Sequence, residues 1–218
     1  MVLKARSKKA EAKREEILQA ATKILHQKGY HGTSMQDIAD AVGLYKGSLY
    51  QHIDNKEDVV FEIIFEGLKA TVDALEQTCA AASTFHEKLR QAINHNIRYT
   101  ATHVDVLAVL LENTKHLSKE RQAPIIGQQH RYEKIFIDIL ENGIRAGEFR
   151  PVNVKAAAFA IIGMCNWVYR WYSSGGSLSA DEVAQIFYDL IDVGLRKPAE
   201  HTVATTVRED ASALLHLG

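Results

Sequence analysis

Two short stretches of this 218-residue chain carry side chains suited to specific chemistry. The first is Tyr45-Lys-Gly-Ser-Leu-Tyr-Gln-His52. Read as a short helix with Leu49 inward, it leaves Tyr45, Lys46, Ser48, Tyr50, Gln51 and His52 outside. That face mixes hydrogen-bonding groups with a cation, as a helix reading base edges in a major groove requires. Gly47 lowers helix stability by roughly 1 kcal/mol relative to Ala. Its missing side chain lets the backbone come close to a partner, which a merely solvated surface does not need. The second stretch is Asn166-Trp-Val-Tyr-Arg-Trp-Tyr172. On a continuous helix Asn166 and Arg170 are i, i+4, and so are Trp167 and Trp171. One side then presents two polar groups beside two indoles, opposite Ile161, Cys165, Val168 and Tyr172. A guanidinium among aromatics suits a phosphate or carboxylate attached to an apolar or flat group. The same spacing also suits a packing seam closed by an Arg near a helix C-terminus. Spacing leaves both readings open.

Catalytic constellations are missing from the pattern. His86-Glu87 opens an H-E-x-x-H search, but position 90 is Arg, so the second zinc ligand is absent. Gly43 to Ser48 lacks the Walker spacing, and no G-x-S-x-G occurs. The 10 histidines are scattered. Cys79 and Cys165 have no zinc-type spacing and are too few for a disulfide framework. The chain reads as a non-enzyme with no resident cofactor and no metal.

The elements that must position the two stretches are helical. Prolines stand only at positions 124, 151 and 198. An apolar stripe of Ile17, Leu18, Ala21, Ile24 and Leu25 predicts a helix to about Lys28, ended by Gly29 as a left-handed cap. Ser34 and Asp37 read as a capping box opening a short helix, Met35 to Val42, which Gly43 stops. Two short helices joined by a tight Gly-containing turn form a helix-turn-helix signature. Ala39 is the small residue at the crossing, and Ile38, Val42 and Leu49 close the small core. Asn55 and Asp58 start a long helix carrying Val59, Val60, Ile63, Ile64, Leu68, Val72 and Leu75, fading near Cys79. Further helices are predicted over Phe85–Ala101, Val104–Asn113, Arg121–Ala146, Val154–Ser173 and Ala180–Arg196, the last opened by a Ser179/Glu182 capping box. No period-2 alternation is sustained. The expectation is an all-α fold of about nine helices: residues 1–54 as an N-terminal helix-turn-helix domain, 55–197 as a helical body, and 198–218 as a loose tail in which Leu214, Leu215 and Leu217 pack only locally.

Charge divides the same way. Residues 1–50 hold nine Lys and Arg against five Asp and Glu; the remainder is acidic. A basic front on an acidic body suits a protein of which one end meets a polyanion. The longest apolar run, Ala156 to Cys165, is half the ~20 residues of a membrane span. A reducing cytoplasm is the expected location.

Residues 14–61 resemble the DNA-binding domain of TetR-family transcriptional regulators. The likeness rests on Ile17-Leu-Gln-Ala-Ala, Gly29-Tyr-His-Gly-Thr-Ser-Met-Gln-Asp-Ile-Ala, Val42-Gly-Leu-Tyr-Lys-Gly-Ser-Leu-Tyr-Gln-His-Ile and Asn55-Lys-Glu-Asp-Val, in order across three helices and into a fourth. Ile53 stands where the family usually has Phe, and Tyr45 where it often has Ser or Thr. The resemblance implies a homodimer on a palindromic double-stranded operator. Thr33 and Ser34 would grip a phosphate; Tyr45, Lys46, Gly47, Ser48 and Gln51 would lie on or near bases; Tyr50, His52 and Lys56 would hold phosphates. The later helices would form an effector-binding and dimerisation domain. For dimerisation the apolar face Val183, Ile186, Phe187, Leu190 and Val193 is the candidate, with an intramolecular core helix as the alternative. The Asn-Trp-x-x-Arg-Trp-Tyr pattern is similar to that of TetR-family repressors of fatty-acid and sterol catabolism, whose inducers are acyl-coenzyme A thioesters. By that likeness Asn166, Trp167 and Trp171 would line the pocket and Arg170 would meet an anion. Rival effectors are a free fatty acid or an aromatic compound, and a constitutive DNA binder is the alternative without any.

Overall fold

The computed structural model describes residues 8–197. The expected loose tail, residues 198–218, lies outside them. Among the described residues there are nine α-helices, two short 3-10 turns and no strand.

The first helix, α1 (Lys8–Gly32), is broken at Gly29. Its φ of 68° has the positive sign expected, but ψ is 177°. That is extended rather than left-handed helical, so the chain turns away instead of closing a cap. α2 (Met35–Ala41) starts at the predicted capping box, with Ser34 and Asp37 each bonding the other's backbone N–H. It ends in a Schellman motif. Leu44 N–H donates to Ala39 O at 2.9 Å and Gly43 N–H to Asp40 O at 3.2 Å. Gly43 takes the φ of 64° that this closure needs. α3 (Lys46–Leu49) is shorter than the predicted Tyr45–His52: Tyr45 is its N-cap, and residues 50–52 are turns. Ile17, Ala21, Leu25, Ile38, Ala39, Leu49 and Ile53 are buried together and join α1–α3 in one small core.

α4 (Lys56–Ala80) leaves that core from an Asn55 cap and continues into the body. There it packs on α5 (Phe85–Thr102), α6 (Val104–Asn113) and α7 (Lys119–Arg145), and α8 (Val154–Trp167) and α9 (Ala180–Leu195) complete the body. α5 is the central rod. Its Leu89, Ala92, Ile93 and Ile97 are fully buried, and it packs on α4, α7, α8 and α9. Asp192 of α9, itself buried, meets His86 Nδ1 of α5 at 2.7 Å and is paired with Arg196. α7 starts two residues earlier than predicted, behind Ser118. α8 departs most from expectation: it stops at Trp167 and tightens into a 3-10 turn over Val168–Arg170 instead of reaching Ser173. No described helix is long and apolar enough to cross a membrane.

Candidate functional site

The N-terminal head presents α3 as an exposed rod. Leu49 is its anchor, fully buried. Tyr45 is 88% exposed, and Lys46, Gly47, Tyr50 and Gln51 are exposed with it, while Ser48 and His52 are half-buried. A Cβ on Gly47 would meet nothing within 4 Å, so the head's own packing does not require glycine there. Two side chains of α1 hold the ends of the motif. Lys13 Nζ donates to Val42 O at 3.1 Å, and Arg14 bonds His52 O and Glu62.

The expected phosphate grip by Thr33 needs correcting. Thr33 is only 2% exposed, and its hydroxyl donates to Gly29 O at 2.8 Å. It ties off the carbonyl freed where α1 breaks and has no proton to offer outside. Ser34 stays exposed, but its hydroxyl and N–H are engaged by Asp37 in the capping box. The Asp37 carboxyl is held well below the usual carboxylate range by Lys28, then by Ser34. Lys56 also turns inward: its ammonium donates to Tyr30 O at 2.6 Å and Thr33 O at 2.8 Å, over the Tyr30 ring. Two of its three donors therefore fix the link between α1 and α2 rather than pointing at a duplex.

Polar contacts tie the head to the body around a buried apolar core that runs through both. Glu57 accepts from Ser118 N–H at 2.7 Å, Asp58 pairs with Arg121, and His26 of α1 pairs with Asp105 of α6. Tyr30 stacks on His116 with centroids 5.0 Å apart. Burial, then the charges of His31, Lys115 and Lys56, hold the His116 pKa below its ordinary value, favouring the neutral ring.

In the body, α4–α8 line a partly open cavity of about 200 Å³. Ile64 and Leu68 of α4, Val106, Leu107, Leu110 and Leu111 of α6, and Ile162 of α8 form its apolar wall. Thr71, Asn96, Tyr99, Thr100, Gln129, Tyr132, Glu133 and Asn166 add polar groups. Asn96 Nδ2 donates to the Tyr132 hydroxyl inside the protein. Burial pushes the Tyr132 phenol well above its ordinary pKa, so it keeps its proton.

Of the four residues expected at an effector, only Asn166 lines this cavity. Trp167 is 61% exposed, Trp171 is exposed, and Arg170 pairs on the surface with Glu112 at 3.5 Å. Trp167 ends α8 before the 3-10 turn and already faces outward, so the indole side of the helix is an outer face. Arg170 is carried off the Asn166 line by the turn, whose residues each rotate about 20° further than α-helical ones, roughly 60° over three. Ile161, Cys165 and Val168 do face the core, as expected of the opposite side. Asn96, Thr100 and Tyr132 are cavity residues that motif spacing does not single out. A signal for two of them exists in α5, where Asn96 and Thr100 interrupt the stripe of Leu89, Ala92, Ile93 and Ile97 in register.

An exposed reading helix on a compact three-helix head, joined by one long helix to a helical body with a cavity, is the architecture of a helix-turn-helix DNA-binding regulator. Residues 17–63 match the family described as bacterial regulatory proteins, tetR family, and residues 82–195 match the tetracyclin repressor-like C-terminal domain. The chain belongs to the TetR family of transcriptional regulators. It is 31% identical over 193 residues to the transcriptional repressor KstR2 of Mycolicibacterium smegmatis, covering 84% of this chain and 91% of that protein. The crystal structure of PfmR, a TetR-family regulator from Thermus thermophilus, is 36% identical, with a TM-score of 0.77 over 83% of this chain and 99% of that one. AibR, solved in complex with isovaleryl coenzyme A and operator DNA, is 28% identical, with a TM-score of 0.75 over 81% and 96%.

Proposed function

We propose that this protein is a repressor of lipid-metabolism genes, fatty-acid or sterol, that an acyl-coenzyme A thioester releases from its operator. The observation that carries this reading is the cavity between α4 and α8: mostly apolar walls suit an acyl group, and a few polar atoms orient it. The isovaleryl coenzyme A held by AibR supports the same class of effector. Arg170, on the surface in an exposed pair with Glu112, can exchange that carboxylate for a coenzyme A phosphate; Glu112 follows the cavity residue Leu111. No resident cofactor is needed, and the place of action is the cytoplasm, where the operator lies.

On the DNA side, Tyr45, Lys46, Ser48 and Gln51 meet base edges, Tyr50 and His52 meet phosphates, and Gly47 lets the backbone close in. Two copies pair through an apolar strip left open by the fold. Ile186, Leu190 and Val193 of α9 are exposed at i, i+4 and i+7, and Phe159 and Trp167 lie open on α8. Trp167 thus belongs to the dimer seam rather than to the pocket, while Val183 packs inside its own chain.

Release follows from shared walls. α4 carries cavity residues at its middle and meets the head at its N-terminal end, and α6 touches both the cavity and α1. An effector that fits a different arrangement of α4 and α6 favours a head spacing unsuited to successive major grooves. The test is isothermal titration with saturated acyl-coenzyme A esters from isovaleryl to palmitoyl, paired with operator gel shifts. Binding together with operator release is expected. If none of the esters binds, the effector assignment fails; if one binds without releasing DNA, the switch fails.

A further inference from the structure

The most buried wall of the cavity holds hydrogen-bond donors that the protein does not use. Thr100 is 1% exposed and lines the cavity, and its hydroxyl has no partner among the described residues. One helical turn before it on the same face of α5 stands Asn96. Asn96 gives its amide N–H to the Tyr132 hydroxyl, which therefore acts as an acceptor with its own proton unspent. Burial keeps that phenol protonated, so it remains a donor. The neighbouring Thr71 differs: its hydroxyl is satisfied by Gly67 O at 2.9 Å. A buried polar group left unpaired is destabilising and is uncommon in a folded protein. A purely hydrocarbon chain against Thr100 and Tyr132 would leave both donors unanswered. An acceptor oxygen on the ligand would answer both.

We propose that the cavity is built for an oxo-acyl group, one carrying a carbonyl oxygen of its own beyond the thioester, and that Thr100 and Tyr132 read that oxygen. The proposal rests on the coenzyme A ester reading for the head of the ligand and adds the class of its tail. Thr100 and Tyr132 then determine specificity, while the leucine-rich wall of α6 supplies contact that any acyl group would enjoy.

The experiment compares hexanoyl-coenzyme A with its 3-oxo and 5-oxo analogues, and the three corresponding free acids, by isothermal titration on the full-length protein. Wild type is set against Thr100→Val, which keeps the shape and removes the hydroxyl, and against Tyr132→Phe. Wild type is expected to prefer an oxo ester over hexanoyl-coenzyme A on the order of tenfold, the value of one well-placed hydrogen bond. Thr100→Val should lose that preference, bind hexanoyl-coenzyme A as well as wild type does, and melt at or above the wild-type temperature when ligand-free. Equal affinity for oxo and plain esters in wild type overturns the proposal, as does a preference that survives in both variants. Equal weakening of every ester by Thr100→Val overturns it too, because the donors would then be holding the thioester carbonyl. A lower melting point for ligand-free Thr100→Val also overturns it, because the hydroxyl would then have a partner within the protein. If only the free oxo-acids bind, and in a Thr100-dependent way, the tail assignment stands while the coenzyme A reading falls. If none of the six compounds binds, both fall.

Discussion

Gly67 offers a way to press on the switch without any ligand. It lies in α4, lines the cavity and faces α6. A Cβ built there would sit 2.8 Å from Val106 Cγ1 and 3.3 Å from the Tyr99 hydroxyl. The first distance is about 0.7–1.2 Å short of the ~3.5–4.0 Å optimum for carbon contacts. Gly67→Ala therefore forces Val106, which stands on α6, to shift. Overpacking of this kind is destabilising by about 1–3 kcal/mol, while Ala in a helix interior returns about 1 kcal/mol. The net loss of stability is then about 0–2 kcal/mol, and the variant folds. Because α6 also contacts α1 through Asp105 and His26, relief of about 1–2 kcal/mol in the released arrangement alone biases the head. Operator affinity should drop roughly 5- to 30-fold with no effector present. Fluorescence anisotropy on an operator selected from random duplexes measures this, with helical circular dichroism and thermal melts as controls. Val106→Ala added to Gly67→Ala removes the offending methyl and should restore affinity, giving a double-mutant cycle. A folded Gly67→Ala protein that binds operator as wild type does would show that α6 does not carry the signal.

Other outcomes are expected. Lys46→Ala should weaken operator binding and relax the base preference at the position it reads by about 1–3 kcal/mol; unchanged affinity and unchanged preference would place Lys46 away from the duplex. Leu190→Arg should leave the fold intact, since Leu190 is 64% exposed, yet give monomers in sedimentation and lose operator binding; a stable dimer would refute the α9 seam. Acid should loosen the head through Asp37, whose carboxyl Lys28 and Ser34 hold below the ordinary range. With the folded pKa lowered, that contribution is complete above about pH 4 and is lost as pH falls through the folded value. Thermal melts from about pH 7 to about pH 3 should therefore show a shallower acid limb for Asp37→Asn than for wild type. Identical limbs would mean that the cap adds nothing to the melting unit.

What can be read from sequence is local. The Ser34–Asp37 box, the Gly43 turn, the Ser179–Glu182 box and the inward Leu49 are each decided within a few residues, and each stands in the structure as expected. The effector end depends on distance relations that sequence does not display. Asn96 and Tyr132 are 36 positions apart and meet only because α5 and α7 cross beside the cavity. Arg170 departs from its expected place because a change from 3.6 to about 3 residues per turn leaves the residue types unaltered while rotating it. Thr33 and Lys56 look like surface hydroxyl and cation in sequence. The break at Gly29 frees carbonyls on the inside of the head, and those claim both side chains.

The open strip on α9 also bears on gene dosage. A lone subunit leaves Leu190 and Val193 at 64% and 75% exposure, so single chains gain by meeting one another before they meet an operator. Where subunits are scarce, the number of assembled pairs grows with the square of chain abundance, so halving expression removes about three quarters of them. Promoter strength thereby becomes a second input to the circuit, steeper than linear and independent of any metabolite.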